Sequence, residues 1–157
     1  MDNLDRDWVE FFNRIGTIQG IDNLCSSIFA ILYIEPDEVA MDDIAKKTGY
    51  SLASISNKIK AMEQMGLVRR KCHPGTRKIY LTVEKDLTKF IKDIFIKKEL
   101  VQIKMVKECV PCIIEKYKSK AMSDVKKKKI ALMRGYYDHS LRYEGIIQKM
   151  LNLINEK

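Results

Sequence analysis

DDIAKKTGYSLASISNKIKAMEQMGLVRRKCHPGTRKIYL, residues 42–81, holds two short helical patterns, a tight turn and a basic extended pair. In the second pattern Leu52, Ile55, Ile59, Met62 and Met65 recur at steps of three and four, which places them on one helical face that must be buried. The opposite side carries Ala53, Ser54, Asn57, Lys58 and Ala61, short side chains with one amide and one ammonium, suited to close approach to a polyanion. Ser51 is the predicted N-cap, its hydroxyl taking up a first-turn amide. Gly49 ends the preceding helix, predicted over 42–48 with Met41, Ile44 and Ala45 facing in, and leaves a turn short enough to set two helices steeply across one another.

Beyond Gly66 the pattern turns extended. Residues 67–72 and 77–81 are predicted strands around His73-Pro74-Gly75-Thr76, where Pro at the second position and Gly at the third suit a type II turn. From Ser51 to Thr82 the basic residues Lys58, Lys60, Arg69, Arg70, Lys71, Arg77 and Lys78 face Glu63 alone, a local charge of +6. Two crossed helices and a basic hairpin describe a winged helix-turn-helix, and the partner such a surface selects is a duplex of closely spaced phosphates. The candidate DNA contacts are Ser51, Ala53, Ser54, Asn57, Lys58 and Lys60 on the helix, and Arg70, Lys71, His73, Thr76, Arg77 and Lys78 on the wing.

The stretch resembles the MarR-type winged-helix transcriptional regulators, and within them the GbsR-like branch. The resemblance rests on Asp43-Ile44-Ala45, Gly49-Tyr50-Ser51, Ser54-Ile55-Ser56, Met65-Gly66-Leu67-Val68-Arg69-Arg70 and Pro74-Gly75-Thr76-Arg77-Lys78-Ile79-Tyr80, with Gly16, Gly20 and Pro36 as a weaker upstream part. Leu52 stands where the branch has a basic residue, and Thr76 where it often has an acidic one. The resemblance implies a DNA-binding regulator. Because GbsR-like regulators are associated with choline and glycine betaine, it also implies a quaternary ammonium compound as a candidate effector. Aromatic faces attract such cations, and Trp8, Phe11, Phe12, Phe29, Tyr33, Tyr136, Tyr137 and Tyr143 are available for a cage, although at helical spacing the same residues read first as core.

Outside the motif, 157 residues with 46% hydrophobic content give one domain, or one domain with a long appendage, and enough apolar side chains for a core. Seven Gly and three Pro favour long helices over an all-β or doubly wound architecture. The net charge of +8 calls for an acidic partner. The start, MDNLDRDW, lacks the positive and apolar regions of a signal peptide, and the longest apolar run, Ile28 to Ile34, is far short of a membrane span, so the expectation is a soluble, cytoplasmic chain without membrane contact.

Upstream, Trp8, Phe11, Phe12, Ile15 and Ile18 fit one helix, with Gly16 and Gly20 marking its end. Leu24, Ile28, Ile31 and Leu32 fit a second helix that stops before Pro36. Residues 1–36 carry a net charge of −4 and are expected to face away from DNA and to join a dimer base. Residues 37–82 form the DNA-binding domain, and 83–157 a helical dimerisation region. In that last part a helical period runs through Val83, Leu87, Phe90, Ile91, Ile94, Val101, Met105, Val106, Cys109, Ile113 and Tyr117, with Pro111 expected to kink or interrupt it. Ser123 is a predicted cap for a last helix striped by Val125, Met133, Tyr137, Leu141, Ile147, Met150, Leu151 and Ile154. Two amphipathic helices without a core of their own point to a homodimer. The fold class is therefore mostly α with a small β-hairpin wing: a winged helix-turn-helix with long terminal dimerisation helices.

Cys109-Val110-Pro111-Cys112 has the spacing of a redox pair or half a metal site, but a zinc site needs four ligands and Cys25, Cys72, His73 and His139 are scattered. Packing beside a kink is the first reading of the pair, and metal or redox sensing the second. Lys126 to Lys129 circles a helix and must be partly solvated. No phosphate-binding Gly loop, HExxH or GxSxG is present, so neither enzyme chemistry nor a cofactor is expected.

Overall fold

The computed structural model describes residues 1–118 and 123–156. In order the elements are α1 (Asn3–Ile18), α2 (Asn23–Ile34), β1 (Val39–Ala40), α3 (Met41–Thr48), α4 (Leu52–Gln64), β2 (Arg69–Cys72), β3 (Ile79–Thr82), α5 (Leu87–Phe90), a π-helical turn (Ile91–Ile96), α6 (Lys97–Lys116) and α7 (Asp124–Asn155). They form two compact units, Met1–Leu87 and Thr88–Lys157. The fold is mostly α with a small antiparallel sheet, a winged helix-turn-helix followed by long helices.

In the first unit α2 is the central helix. It is apolar on several sides, and Cys25, Ile28, Ala30, Ile31 and Leu32 are all buried, the pattern of a helix enclosed by neighbours. Its core continues into Ile44 of α3, Ile55, Ile59 and Met62 of α4, and Val68, Leu81 and Val83 of the wing. Asp22 caps α2, accepting from the Cys25 amide at 3.0 Å, and Asp2 caps α1, accepting from the Asp5 amide at 2.8 Å. Gly16 does not mark the end of α1. It lies inside the helix and is buried, and a Cβ there would fall 1.9 Å from Ser26 Oγ and 3.0 Å from Ser26 Cβ. The glycine is therefore the point at which α1 and α2 approach most closely, while the α1 terminus comes at Ile18, before Gly20 with φ 71°.

Two further expectations fail at helix ends. Leu52 and Met65, assigned to the buried face of α4, are 45% and 41% exposed. Leu52 is the first residue of the helix and Met65 its C-cap, so both overhang the stretch that α2 and α3 cover. Ile18 and Phe11 of α1 are likewise exposed.

The wing is a three-stranded sheet in the order β1-β3-β2. Val39 pairs with Leu81 and Ala40 with Tyr80, while Arg69 to Cys72 run antiparallel to Thr82 to Ile79. The third strand, β1, is too short to leave a periodic trace in the sequence. Arg77 and Lys78, expected in a strand, precede β3 and stay in the turn. There the Thr76 amide donates to the His73 carbonyl at 3.4 Å and Gly75 has φ 82°, as a type II turn requires.

The second unit pairs α6 with α7. Lys92 Nζ donates to Asn155 Oδ1 at 2.6 Å and Lys107 to Glu144 at 3.1 Å, a falling register that makes the helices antiparallel. Ser123 caps α7 through the Lys126 amide at 3.4 Å. A small cluster of Ile96, Ile103 and Ile147, flanked by Ile91, Leu100, Leu151 and Ile154, forms the core. Ile91 packs against this core and Ile94 is buried, as expected, but from α6 onward the expected stripe is out of step: Val101, Met105, Cys109 and Ile113 are exposed, whereas Ile96, Ile103 and Ile114 are buried. The π turn at Ile91–Ile96 explains the slip, since i→i+5 bonding places an extra residue in the turn and a 3.6-residue period carried across it loses phase. Pro111 does not interrupt α6, which continues to Lys116. Only the bond to the Lys107 carbonyl is lost, and Lys107 and Pro111 are both exposed, so water can reach that carbonyl.

Candidate nucleic-acid interface

The geometry of α4 is set at both ends. Ser51 Oγ accepts from the Ser54 amide at 3.2 Å and lies 2.9 Å from Ser54 Oγ, so the two hydroxyls are held together at the start of the helix. At the far end the Leu67 amide donates to the Met62 carbonyl and the Gly66 amide to the Glu63 carbonyl, both at 2.9 Å, with Gly66 at φ 76°. This is the Schellman closure that a left-handed glycine permits, and it turns the chain out of α4 into β2. Three residues buried to 0% exposure, Ile55, Ile59 and Met62, hold the inner face. What remains outward is Ala53, Ser54, Asn57 and Lys60, all exposed.

The charged candidates divide into two groups. Lys58 Nζ donates to Asp22 Oδ2 at 2.7 Å. Arg70 grips Glu63 with two hydrogen bonds, Nε at 3.0 Å and a terminal nitrogen at 2.8 Å. Lys71 lies 3.4 Å from Glu38 and His73 Nε2 3.3 Å from the second oxygen of the same carboxylate. That oxygen is buried and has no well-formed hydrogen bond. The imidazole also packs edge-on against Tyr80 at 4.8 Å. Thr76 Oγ1 accepts from the Lys78 amide at 3.1 Å and shapes the turn. By contrast Lys60, Arg77 and Lys78 are exposed, and among the described residues no carboxylate lies within ion-pair distance of them.

Charge counted along the chain therefore overstates charge on the surface. Glu63 was the only acid within residues 51–82, but Asp22, Glu38 and Glu84, which pairs with Arg69 at 3.6 Å, come in from outside the stretch. Asp22, in the acidic N-terminal segment, thus binds α4 at Lys58. Burial by itself would raise the Asp22 carboxyl, but the Lys58 hydrogen bond and the Cys25 amide more than offset it and hold the group below the usual carboxylate range. Lys58 is correspondingly raised, first by its hydrogen bond to Asp22. Capping chemistry at Asp22 was legible from residue type. Its reach to a lysine thirty-six positions later was not.

The other candidates lie elsewhere. Trp8, Phe11, Phe12, Phe29 and Tyr33 form one cluster on α1 and α2 with ring centroids between 5.1 and 6.0 Å apart. That is the separation of rings in direct contact. Tyr136, Tyr137 and Tyr143 belong to α7. Cys109 and Cys112 are exposed free thiols in the last turns of α6, so they are not packing residues within the chain. Cys72 is exposed, and Cys25 is buried with its thiol pushed up, first by desolvation and then by the charge of Asp22. Among the described residues no three His, Cys, Asp or Glu side chains gather into a metal site, and no helix is long and apolar enough to cross a membrane.

A capped, outward-facing second helix beside a sheet-borne basic turn defines the winged helix-turn-helix class. Residues 19–79, from the end of α1 to the first residue of β3, match the model of the MarR family. A transcriptional regulator of known crystal structure has the same fold, with a TM-score of 0.72 and 13% identity over 98% of this chain and 99% of that one. The MepR–DNA complex of S. aureus aligns with a TM-score of 0.43 and 14% identity over 88% of this chain and 92% of that one. Among curated proteins, none matches the sequence.

Proposed function

We propose that the chain is a MarR-type transcriptional regulator that binds double-stranded DNA as a homodimer. The observation that carries this reading is the pairing of an uncharged reading face, Ala53, Ser54 and Asn57, with exposed cations at Lys60, Arg77 and Lys78 that have no carboxylate within ion-pair distance among the described residues. Short side chains let α4 sit deep in a major groove, where the Asn57 amide can pair bidentately with adenine. The wing turn carries charge out along the backbone or into a narrow minor groove. Residues 1–36 and 83–157 then supply the dimer base, with 37–82 as the reading domain. Occupation of a promoter site by such a dimer excludes other proteins from it, which makes repression the simplest outcome. The likeness of residues 19–79 to the MarR family supports the reading. A quaternary ammonium effector, implied by the GbsR-like resemblance, would meet the aromatic rings of α1 and α2. A signal through the exposed Cys109 and Cys112 remains compatible with their placement.

The test is a titration of Asn57→Ala and Arg77→Ala against a selected operator and a scrambled duplex at several salt concentrations. Asn57→Ala should cost about 1–3 kcal/mol on the operator and much less on the scrambled duplex. Arg77→Ala should weaken both complexes by similar factors and flatten the logarithmic salt slope by about one unit. An unchanged slope for Arg77→Ala would take the wing off DNA and leave a protein-interaction module as the better reading.

A further inference from the structure

We propose that Asp22 competes with the DNA phosphates for Lys58, and so withholds one cation of the reading helix from sequence-independent binding. This rests on the DNA-binding reading and adds to it a residue outside the helix-turn-helix. The geometry is specific. One carboxylate oxygen of Asp22 accepts the Cys25 amide and fixes the start of α2, which leaves the other aimed at Lys58 Nζ, 2.7 Å away. The carboxylate is thus anchored by the helix it caps and cannot swing aside as a free surface acid would. Lys58 follows Asn57 directly, so its ammonium would otherwise reach a phosphate beside the groove that Asn57 enters. The depressed Asp22 and raised Lys58 equilibria agree with a formed pair. The Lys58 side chain is 31% and the Asp22 side chain 54% exposed, so the pair is open to exchange with an arriving phosphate.

The consequence is selective. On random duplex the protein can settle in whichever register lets Lys58 meet a phosphate, and the loss of Asp22 would be felt in full. On the operator the base contacts of Asn57 fix one register, so freeing Lys58 adds less. Asp22 therefore raises the ratio of operator binding to random binding while lowering both affinities.

Asp22→Asn and Asp22→Ser test this in the full chain, because both residues are good N-caps and both remove the carboxylate charge. Unchanged thermal unfolding of either variant shows that the cap is kept. Fluorescence anisotropy with random duplex should show binding up to about five-fold tighter at low salt and a salt slope steeper by about one unit. The gain on a selected operator should be smaller. Lys58→Ala in the same background should abolish the gain. Variants that bind random duplex with wild-type affinity and slope would overturn the proposal and leave the DNA-binding reading standing. A gain that survives Lys58→Ala would overturn it too, since Asp22 would then repel the duplex directly. Wild-type protein that binds no duplex at all would bring down both readings.

Discussion

The two units spend their apolar residues differently. Met1–Leu87 draws α2, α3, α4 and the wing into one continuous core, with Ile28, Ile44, Ile55, Ile59, Met62 and Leu81 at 0% exposure. Thr88–Lys157 has longer helices but a core of a few isoleucines, and leaves Leu132 at 75%, Leu153 at 66%, Val125 at 65% and Phe95 at 53% exposure. The contrast separates a unit that is complete within one chain from one whose packing a second copy would finish. On the proposed function, the first unit reads DNA and the second brings two readers together.

The largest expected effect falls on the second unit. Leu132→Glu combined with Leu153→Glu changes residues that touch little within the chain, so helicity should survive. If those faces join two copies, sedimentation should shift to monomer and operator affinity should fall by about 10²–10⁴, the factor that linking two half-site contacts supplies. A variant that sediments like wild type would show that the faces are not the junction.

A core substitution sharpens the comparison from the other side. Ile59→Ala should lower stability by about 2–5 kcal/mol at every protein concentration, because the first unit closes its core internally. Ile103→Ala should instead show a midpoint that moves with concentration, as stability coupled to association requires. Denaturant melts at two concentrations a hundredfold apart, roughly, distinguish the cases; concentration dependence for Ile59→Ala alone would reverse the assignment.

A smaller effect is expected at the crossing of α1 and α2. Gly16→Ala places a methyl group against Ser26 and should cost about 1–3 kcal/mol, as overpacking does. Replacing Ser26 by Gly as well should recover most of the loss. No recovery in the double variant would mean that the helices do not meet at that point.

How legible this was in the sequence differs between the same two regions. In the first unit local rules and tertiary structure agree: Ser51 caps, Gly49 and Gly66 close helices, Pro74-Gly75 turns, and the inner face of α4 has the spacing that α2 and α3 cover. The failures there are at the helix ends Leu52, Met65 and Ile18, at Phe11 within α1, or across distance, where Asp22 and Glu38 reach cations far along the chain. No periodicity reports such pairs. In the second unit the existence of the helices was legible, and Ile147, Leu151 and Ile154 of α7 face the core as expected, but the buried face of α6 was not legible. A π turn resets the phase after Ile91, and apolar residues lie on more than one face, so the stripe read from Val101 to Ile113 was the exposed one. Gly16 was misread because a glycine at a helix crossing and a glycine at a helix end look alike without the partner helix.

The central claim, that one unit reads a half-site and the other sets the distance between two half-sites, is tested most directly by spacing. An operator obtained by selection should be two-fold symmetric, with half-sites about one helical turn, roughly 34 Å, apart. Inserting about five base pairs at its centre turns one half-site to the opposite face of the duplex. Sedimentation and anisotropy on the original and the spaced duplex should show two protomers bound to the first and an affinity about 10²-fold or more lower on the second. Equal affinity on both duplexes, with one protomer bound to each, would contradict the account.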